Sequence, residues 1–226
     1  MVLFLASLLF CSAQVLQADP TDAKDCLLRA KQRYNEIHSY RCKASNVVMK
    51  YGLVKATRYI NTVAYSFQKP DKIRMTWLEP FLLKGQVAVF QNNELKVKLR
   101  FMPFAVRMDP DGLLTQDPAG NRIYDTHIGR LIDKLLEAIT PATQVSIPGG
   151  SIGATNDEVQ PVVIENKEGR VLVIIDRHLS LPTSMEFYGP DGRLSQACYF
   201  KDIALDVEFE PGEFDLSVAT EAKAAN

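Results

Sequence analysis

Histidine, cysteine, charge of one sign and long apolar runs are all scarce in this chain, and each shortage removes a class of function. The 226 residues hold three histidines, His38, His127 and His178, with no i, i+4 pair and no H-E-x-x-H. Imidazoles scattered in this way carry no metal-ligand pattern, and no cofactor is expected. The four cysteines include no C-x-x-C, so neither a zinc knuckle nor a redox pair is present. Lys+Arg number 26 against 27 Asp+Glu, a net charge of -1. The basic footprint of unspecific nucleic-acid binding is therefore missing, and no nucleic acid is expected as a partner. With 46% hydrophobic and 23% charged residues, the composition is that of a folded chain, long enough to bury a real core.

The N-terminus is the one markedly apolar stretch. Residues 2–10 (VLFLASLLF) would make a helix of only ~14 Å at the usual rise, too short for a bilayer core of about 30 Å. That length suits the core of an export signal, with Ala13 or Ala18 as the small residue before cleavage, although no Lys or Arg precedes the run. Phe10 stands before Cys11, where a lipoprotein signal needs a small residue. The expectation is a cleaved signal at 1–18, a periplasmic location, and one domain over 19–226. Cys26, Cys42 and Cys198 would remain, an odd set that allows one disulfide and leaves a thiol over.

What is present is periodicity. Ala23, Cys26, Leu27, Ala30, Tyr34 and Ile37 recur at helical spacing, with Asp22 as the expected N-cap. The period then changes to two. Tyr59, Val63, Tyr65 and Phe67 form one apolar series, Ile73, Met75 and Trp77 a second, and Leu95, Val97, Leu99 and Phe101 a third. Such alternation predicts antiparallel strands with one apolar and one wet face, joined in a meander by turns at Lys69-Pro70-Asp71 and Asn92-Asn93. Lys72, Arg74, Lys96, Lys98 and Arg100 would stripe the outer, solvated face.

Residues 109–125 read as loop. A second helix over 126–139, capped by Thr126 or Asp125, carries Ile128, Leu131, Ile132, Leu135, Leu136 and Ile139 on one stripe and ends before Pro141. After a connector at 148–161, further strands are expected at 162–165, 171–176, 183–188 and 194–202, with the tail fading after Asp215. The strand at 171–175 is apolar on both faces, so each face should be covered. The order of helix, strands, helix, strands predicts an α+β fold around a strongly curved antiparallel sheet, not a doubly wound nucleotide fold.

Two local motifs are weak. Gly149-Gly150-Ser151-Ile152-Gly153 matches G-x-S-x-G, which would make Ser151 a hydrolase nucleophile. Pro148 before it, a polar loop after it, and a sole downstream histidine two residues beyond Asp176 favour a plain connector. Asp109-Pro110-Asp111-Gly112 lacks the later ligands of a calcium loop and reads as a turn.

The run FQKPDKIRMTWLEPFLLKGQVAVFQNNELKV from Phe67 resembles the periplasmic lipoprotein-carrier superfamily, the LolA/LolB-like fold. DPDGLLTQDPAGNRIYDTHIGRLIDKLLEAI, IDRHLSLPTSMEFYGPDGRLSQACYFKDIAL and the late FEPGEFDLSV are closer to a branch of exported bacterial proteins with that fold, so the resemblance spans about residues 27–218. It implies an unclosed β-barrel whose mouth is plugged by helices and whose interior accepts acyl chains. In the carrier an Arg before the Pro latches a lid through backbone carbonyls, and Lys69 stands at that place here. The expected function is non-enzymatic carriage of a lipid or lipidated protein. The ligand-facing residues would be Val63, Tyr65, Phe67, Met75, Trp77, Val97 and Leu99 on the sheet, Leu131 and Leu135 on a movable lid, and Lys69 at the rim. The alternatives are an envelope regulatory module binding a membrane-protein partner, and a serine hydrolase at Ser151.

Overall fold

The computed structural model describes residues 20–52, 54–117, 119–148 and 158–216. The segment read as an export signal and the Ser151 motif lie outside the described residues. In chain order the elements are α1 (Pro20–Glu36), β1 (Ser39–Tyr51), β2 (Ala56–Gln68), β3 (Lys72–Glu79), β4 (Val87–Gln91), β5 (Glu94–Lys98) and β6 (Val106–Met108). Two 3₁₀ turns follow, Leu113–Thr115 and Ile123–Asp125, then α2 (Ile128–Glu137), β7 (Gln144–Ser146), β8 (Val159–Asn166), β9 (Gly169–Asp176), β10 (Leu181–Tyr188) and β11 (Leu194–Leu205).

Among the described residues eleven strands form a single antiparallel sheet in the order β6-β5-β4-β3-β2-β1-β11-β10-β9-β8-β7. Its edges, β6 and β7, do not pair with each other, so the sheet is an unclosed barrel, as the α+β reading anticipates. Each edge strand is three residues long, which limits the ladder open to stray pairing. The expected meander is present as β1–β6, and a second, β7–β11, joins it where β1 pairs with β11. The chain between β6 and β7 carries α2 from one edge to the other, and this crossover separates the two. Asn92 and Asn93 both take positive φ, 51° and 59°, which turns β4 into β5 in two residues.

The inner face is filled most completely beside α1. Ala23, Leu27, Ala30 and Tyr34 are buried at i, i+4, i+7 and i+11 and share a core with Val162, Ile164, Val173, Ile175, Leu181 and Met185. Each large aliphatic side chain removed from water there contributes roughly 2 kcal/mol. The helix begins at Pro20, a residue suited to a first turn, so Asp22 lies within that turn and is not the cap.

Several other expectations are revised. The outer face over β3–β5 is not simply wet: the segment after β11 crosses it, and Phe214 buries Val87 and Val89 with help from Phe209 and Leu216. Arg74 donates to the Glu213 carbonyl at 2.6 Å, and Lys72 lies over the Phe214 ring. Because that face is covered, β4 can read apolar on both sides. β9 is covered on one face only, with Val173 and Ile175 buried and Leu172 and Ile174 half-exposed. Tyr59 and Phe101, placed on the apolar face by alternation, are 44% and 83% exposed. Tyr59 sits at the outlying part of β2 beside Lys50, and Phe101 lies past the end of β5.

The three cysteines are free. Cys198 pairs in register with Asn46, four residues along β1 from Cys42. That offset is about 13 Å at the usual strand rise, well beyond disulfide reach. Cys26 belongs to α1 and receives Arg29 instead.

Candidate ligand cavity

α2 is fixed to α1 by its polar N-terminal end. Its cap is His127, not Thr126 or Asp125: the imidazole Nδ1 accepts from the Arg130 N–H at 3.1 Å and lies 3.1 Å from the Tyr34 hydroxyl. The ring packs against both Tyr34 and Phe67, with centroids 5.8 and 4.9 Å away. Burial pushes its pKa down to about 4, because the charged ring would lose its water; Lys31 and Arg130 add to the fall, and Asp133 and Asp125 oppose it. Tyr40, fully buried, accepts the Ile128 N–H at 3.0 Å and so satisfies one of the free donors of the first turn. Lys31 and Asp133 form a partly exposed pair at 2.6 Å. Gly129 is needed for the approach, since a Cβ there would fall within the Tyr34 ring.

With α2 tied to α1, the other half of the sheet is left under-filled. Between β1–β6, the start of β11, α2 and the loop over 114–126 lies a cavity of about 430 Å³. Pockets of roughly 300–1,000 Å³ hold drug-sized ligands, so this one is in range for a small molecule. Of the sequence-derived residues, Val63, Tyr65, Met75 and Trp77 line it from β2 and β3, Val97 and Leu99 from β5 and the turn beyond, and Leu131 from α2.

Three expected residues stand elsewhere. Phe67 is buried in the aromatic stack between Tyr40 and His127. Leu135 faces the core shared by α1 and the sheet, because α2 is turned so that Ile128, Ile132 and Leu135 are its buried side. Lys69 follows the same end of β2 as Phe67 and donates to the Tyr34 and Asn35 carbonyls at 2.8 and 2.9 Å. It therefore latches the C-terminal turn of α1, where a point charge suits the helix dipole. Burial and the nearby Lys31 lower its pKa.

Alternation does not reveal the polar wall. Asn46, Asn61, Gln196 and Cys198 line the cavity from inward strand positions, and Asp117 and Asn121 from the loop. Asp117 gathers the loop: its carboxylate accepts from the Asn46 and Asn121 side chains at 2.9 and 3.0 Å and from the Ala119 and Asn121 N–H groups at 2.8 Å. Gln196 and Cys198 donate to the Asn46 oxygen. Burial pushes the Cys198 thiol up to about 12, so it is a packing group and not a nucleophile. The signal that could have exposed Asn61 is parity, because it continues the inward series of Val63 and Tyr65.

Exposed apolar side chains stand close in sequence to cavity residues. Phe81, Leu82 and Phe101 are 72%, 79% and 83% exposed, and Arg100 lies over both phenylalanine rings at 5.2 and 6.0 Å. Leu113 and Leu114, in the loop before α2, are 86% and 90% exposed, and Leu83, Leu99 and Leu114 line the cavity. Among the described residues no helix is long and apolar enough to cross a membrane.

A conserved uncharacterised protein of Thermus thermophilus superposes with a TM-score of 0.51 at 10% identity, over 88% of this chain and 98% of that one. The LolA superfamily protein NE2245 of Nitrosomonas europaea matches with a TM-score of 0.41 at 13% identity, over 85% and 97%. The MucA/MucB complex of Pseudomonas aeruginosa matches with 0.48 at 10% identity, over 88% of this chain and 63% of that one. No protein-family model and no curated protein sequence matches this chain. At such identities the likeness extends to the fold alone.

Proposed function

We propose that this protein is a non-enzymatic binder of acyl chains, carried by a lipid or a lipidated protein, and that it works in the cell envelope after loss of residues 1–18. The observation that carries this reading is the cavity of about 430 Å³, lined largely by apolar side chains, with exposed apolar residues close in sequence to its lining. Each methylene taken from water contributes about 0.8 kcal/mol, so a chain only partly inserted gains useful affinity. These exposed residues supply a route: Phe81, Leu82, Phe101 and Leu113 can enter a lipid interface while Lys84 and Arg100 remain at the level of the headgroups. Release then needs a competing apolar acceptor. Residues 19–226 act as one domain in this scheme.

The test is uptake of a fluorescent acyl probe by the purified protein. Leu131→Asp places a charge in the roof and is expected to weaken uptake at least tenfold while leaving the β-sheet spectrum unchanged. Undiminished uptake by that variant removes the cavity from the function. The same exposed residues support a second reading, a regulatory module that docks a membrane-protein partner. It predicts partner capture by Leu131→Asp equal to that of the parent, with no acyl uptake by either.

A further inference from the structure

Within the cavity wall the polar groups divide into two sets. Asn46, Asp117, Asn121, Gln196 and Cys198 satisfy one another. Asn61 Oδ1 and Trp77 Nε1 are buried, line the same cavity, and find no hydrogen-bond partner among the described residues. An unmade hydrogen bond in such a place is costly, roughly 1–3 kcal/mol for each group, and native folds leave few of them without a reason.

The two groups are also adjacent. Val63 of β2 pairs with Trp77 of β3, and Asn61 is the next inward residue along β2. Asn61 and Trp77 are therefore neighbours on the cavity wall, separated by the register shift between Thr62 and Val63. One is an acceptor and the other a donor. Among the described residues the lining includes the carboxylates of Asp117 and Asp125 but no Lys, Arg or His. An anionic head group would meet two acids and no cation there. A bare hydrocarbon would leave both orphan atoms unpaired.

We infer that Asn61 and Trp77 form a polar subsite that selects acyl ligands bearing a neutral group able both to donate and to accept a hydrogen bond next to the chain, a hydroxyl or a secondary amide. This deepens the acyl-binding reading and rests on it. The ligand donates to Asn61 Oδ1 and accepts from Trp77 Nε1, and its chain runs along Val63, Met75 and Val97. The same chemistry occurs in a monoacylglycerol and in an N-acylated polypeptide.

Four ligands of one chain length separate the possibilities: monolauroylglycerol, N-lauroyl glycinamide, laurate at pH 7.5 and methyl laurate, each displacing a fluorescent acyl probe from the purified protein. The glycerol ester, the amide or both should bind about tenfold more tightly than methyl laurate and laurate, as expected for one further hydrogen bond, the donation to Asn61 Oδ1 that neither control can make. Whichever of the first two binds better identifies the source. In Asn61→Leu, which keeps the branched outline, that gap should shrink to threefold or less while methyl laurate binds as well as before; Trp77→Phe, which removes the Nε1 donor and one ring, should weaken all four ligands. Equal binding of all four to the parent overturns the subsite and leaves the acyl cavity standing, as does a preference for laurate. No displacement by any of them overturns both.

Discussion

The two halves of the inner face make opposite use of the same kind of strand. On the β7–β10 side the inward positions hold Val162, Ile164, Val173, Ile175, Leu181 and Met185, all at most 5% exposed, and a 17-residue helix lies across them. On the β1–β5 side the small or polar Ala44, Asn46, Asn61 and Ala88 stand among Val63, Tyr65, Met75, Trp77, Leu95 and Val97, and among the described residues what lies across them is a loop and one leucine of α2. Small and polar inward residues under an irregular roof leave space that large aliphatics under a regular helix do not. The junction between the halves is the aromatic stack of Tyr34, His127, Phe67 and Tyr40, which fixes α2 to the full side and so keeps it from filling the other.

The contrast breaks most visibly under truncation. Leu27→Ala in the filled half should cost about 3 kcal/mol, because the vacated volume is newly made, whereas Val97→Ala beside the existing cavity should cost under about 1 kcal/mol. Urea unfolding of the two variants measures the difference, and equal losses would mean that both halves are packed alike. Acid should attack the junction next. The folded His127 has a pKa of about 4 against an ordinary 6.5, so below pH 6.5 the unfolded chain takes a proton that the fold refuses. Stability should fall by up to about 3 kcal/mol between pH 6.5 and 4. His127→Asn, which keeps an acceptor at the cap, should flatten that slope in denaturation curves recorded across the range.

Smaller effects sharpen the same picture. Tyr40→Phe leaves the Ile128 N–H buried without its acceptor and should cost about 2 kcal/mol, read as a lowered urea midpoint. Lys69→Met releases the last carbonyls of α1 and should cost about 1 kcal/mol, with acyl uptake unchanged because Lys69 does not touch the cavity. A loss of uptake in that variant would instead link the α1 latch to the open half.

Alternation in the sequence was enough to place Val63, Tyr65, Met75, Trp77 and Val97 on one inward face, since period two fixes the face whatever the sheet later does. It could not place them along the depth of the barrel. Phe67 has the same parity as Val63 yet lies under the helices, because which end of β2 the helices cover depends on how α1 and α2 dock. The same limit applies to Leu135, which shares a stripe with Leu131 while a modest rotation of α2 separates their surroundings. β1 escaped because Cys42, Ala44 and Asn46 dilute its inward face to small and polar residues. Those residues help to make the cavity, so the part of the sheet hardest to read from pattern is the part that encloses the space. The cover over β4 came from a segment after β11 that carries too little periodicity to announce itself.

The claim that the hollow half receives an acyl chain is tested most directly through Trp77, the only tryptophan in the chain and part of the cavity wall. Titration with a monoacylglycerol brominated at mid-chain should quench most of the tryptophan fluorescence saturably, and the non-brominated lipid should reverse it by competition. Emission that stays unquenched while the lipid is demonstrably bound would place the chain outside the cavity and contradict the account.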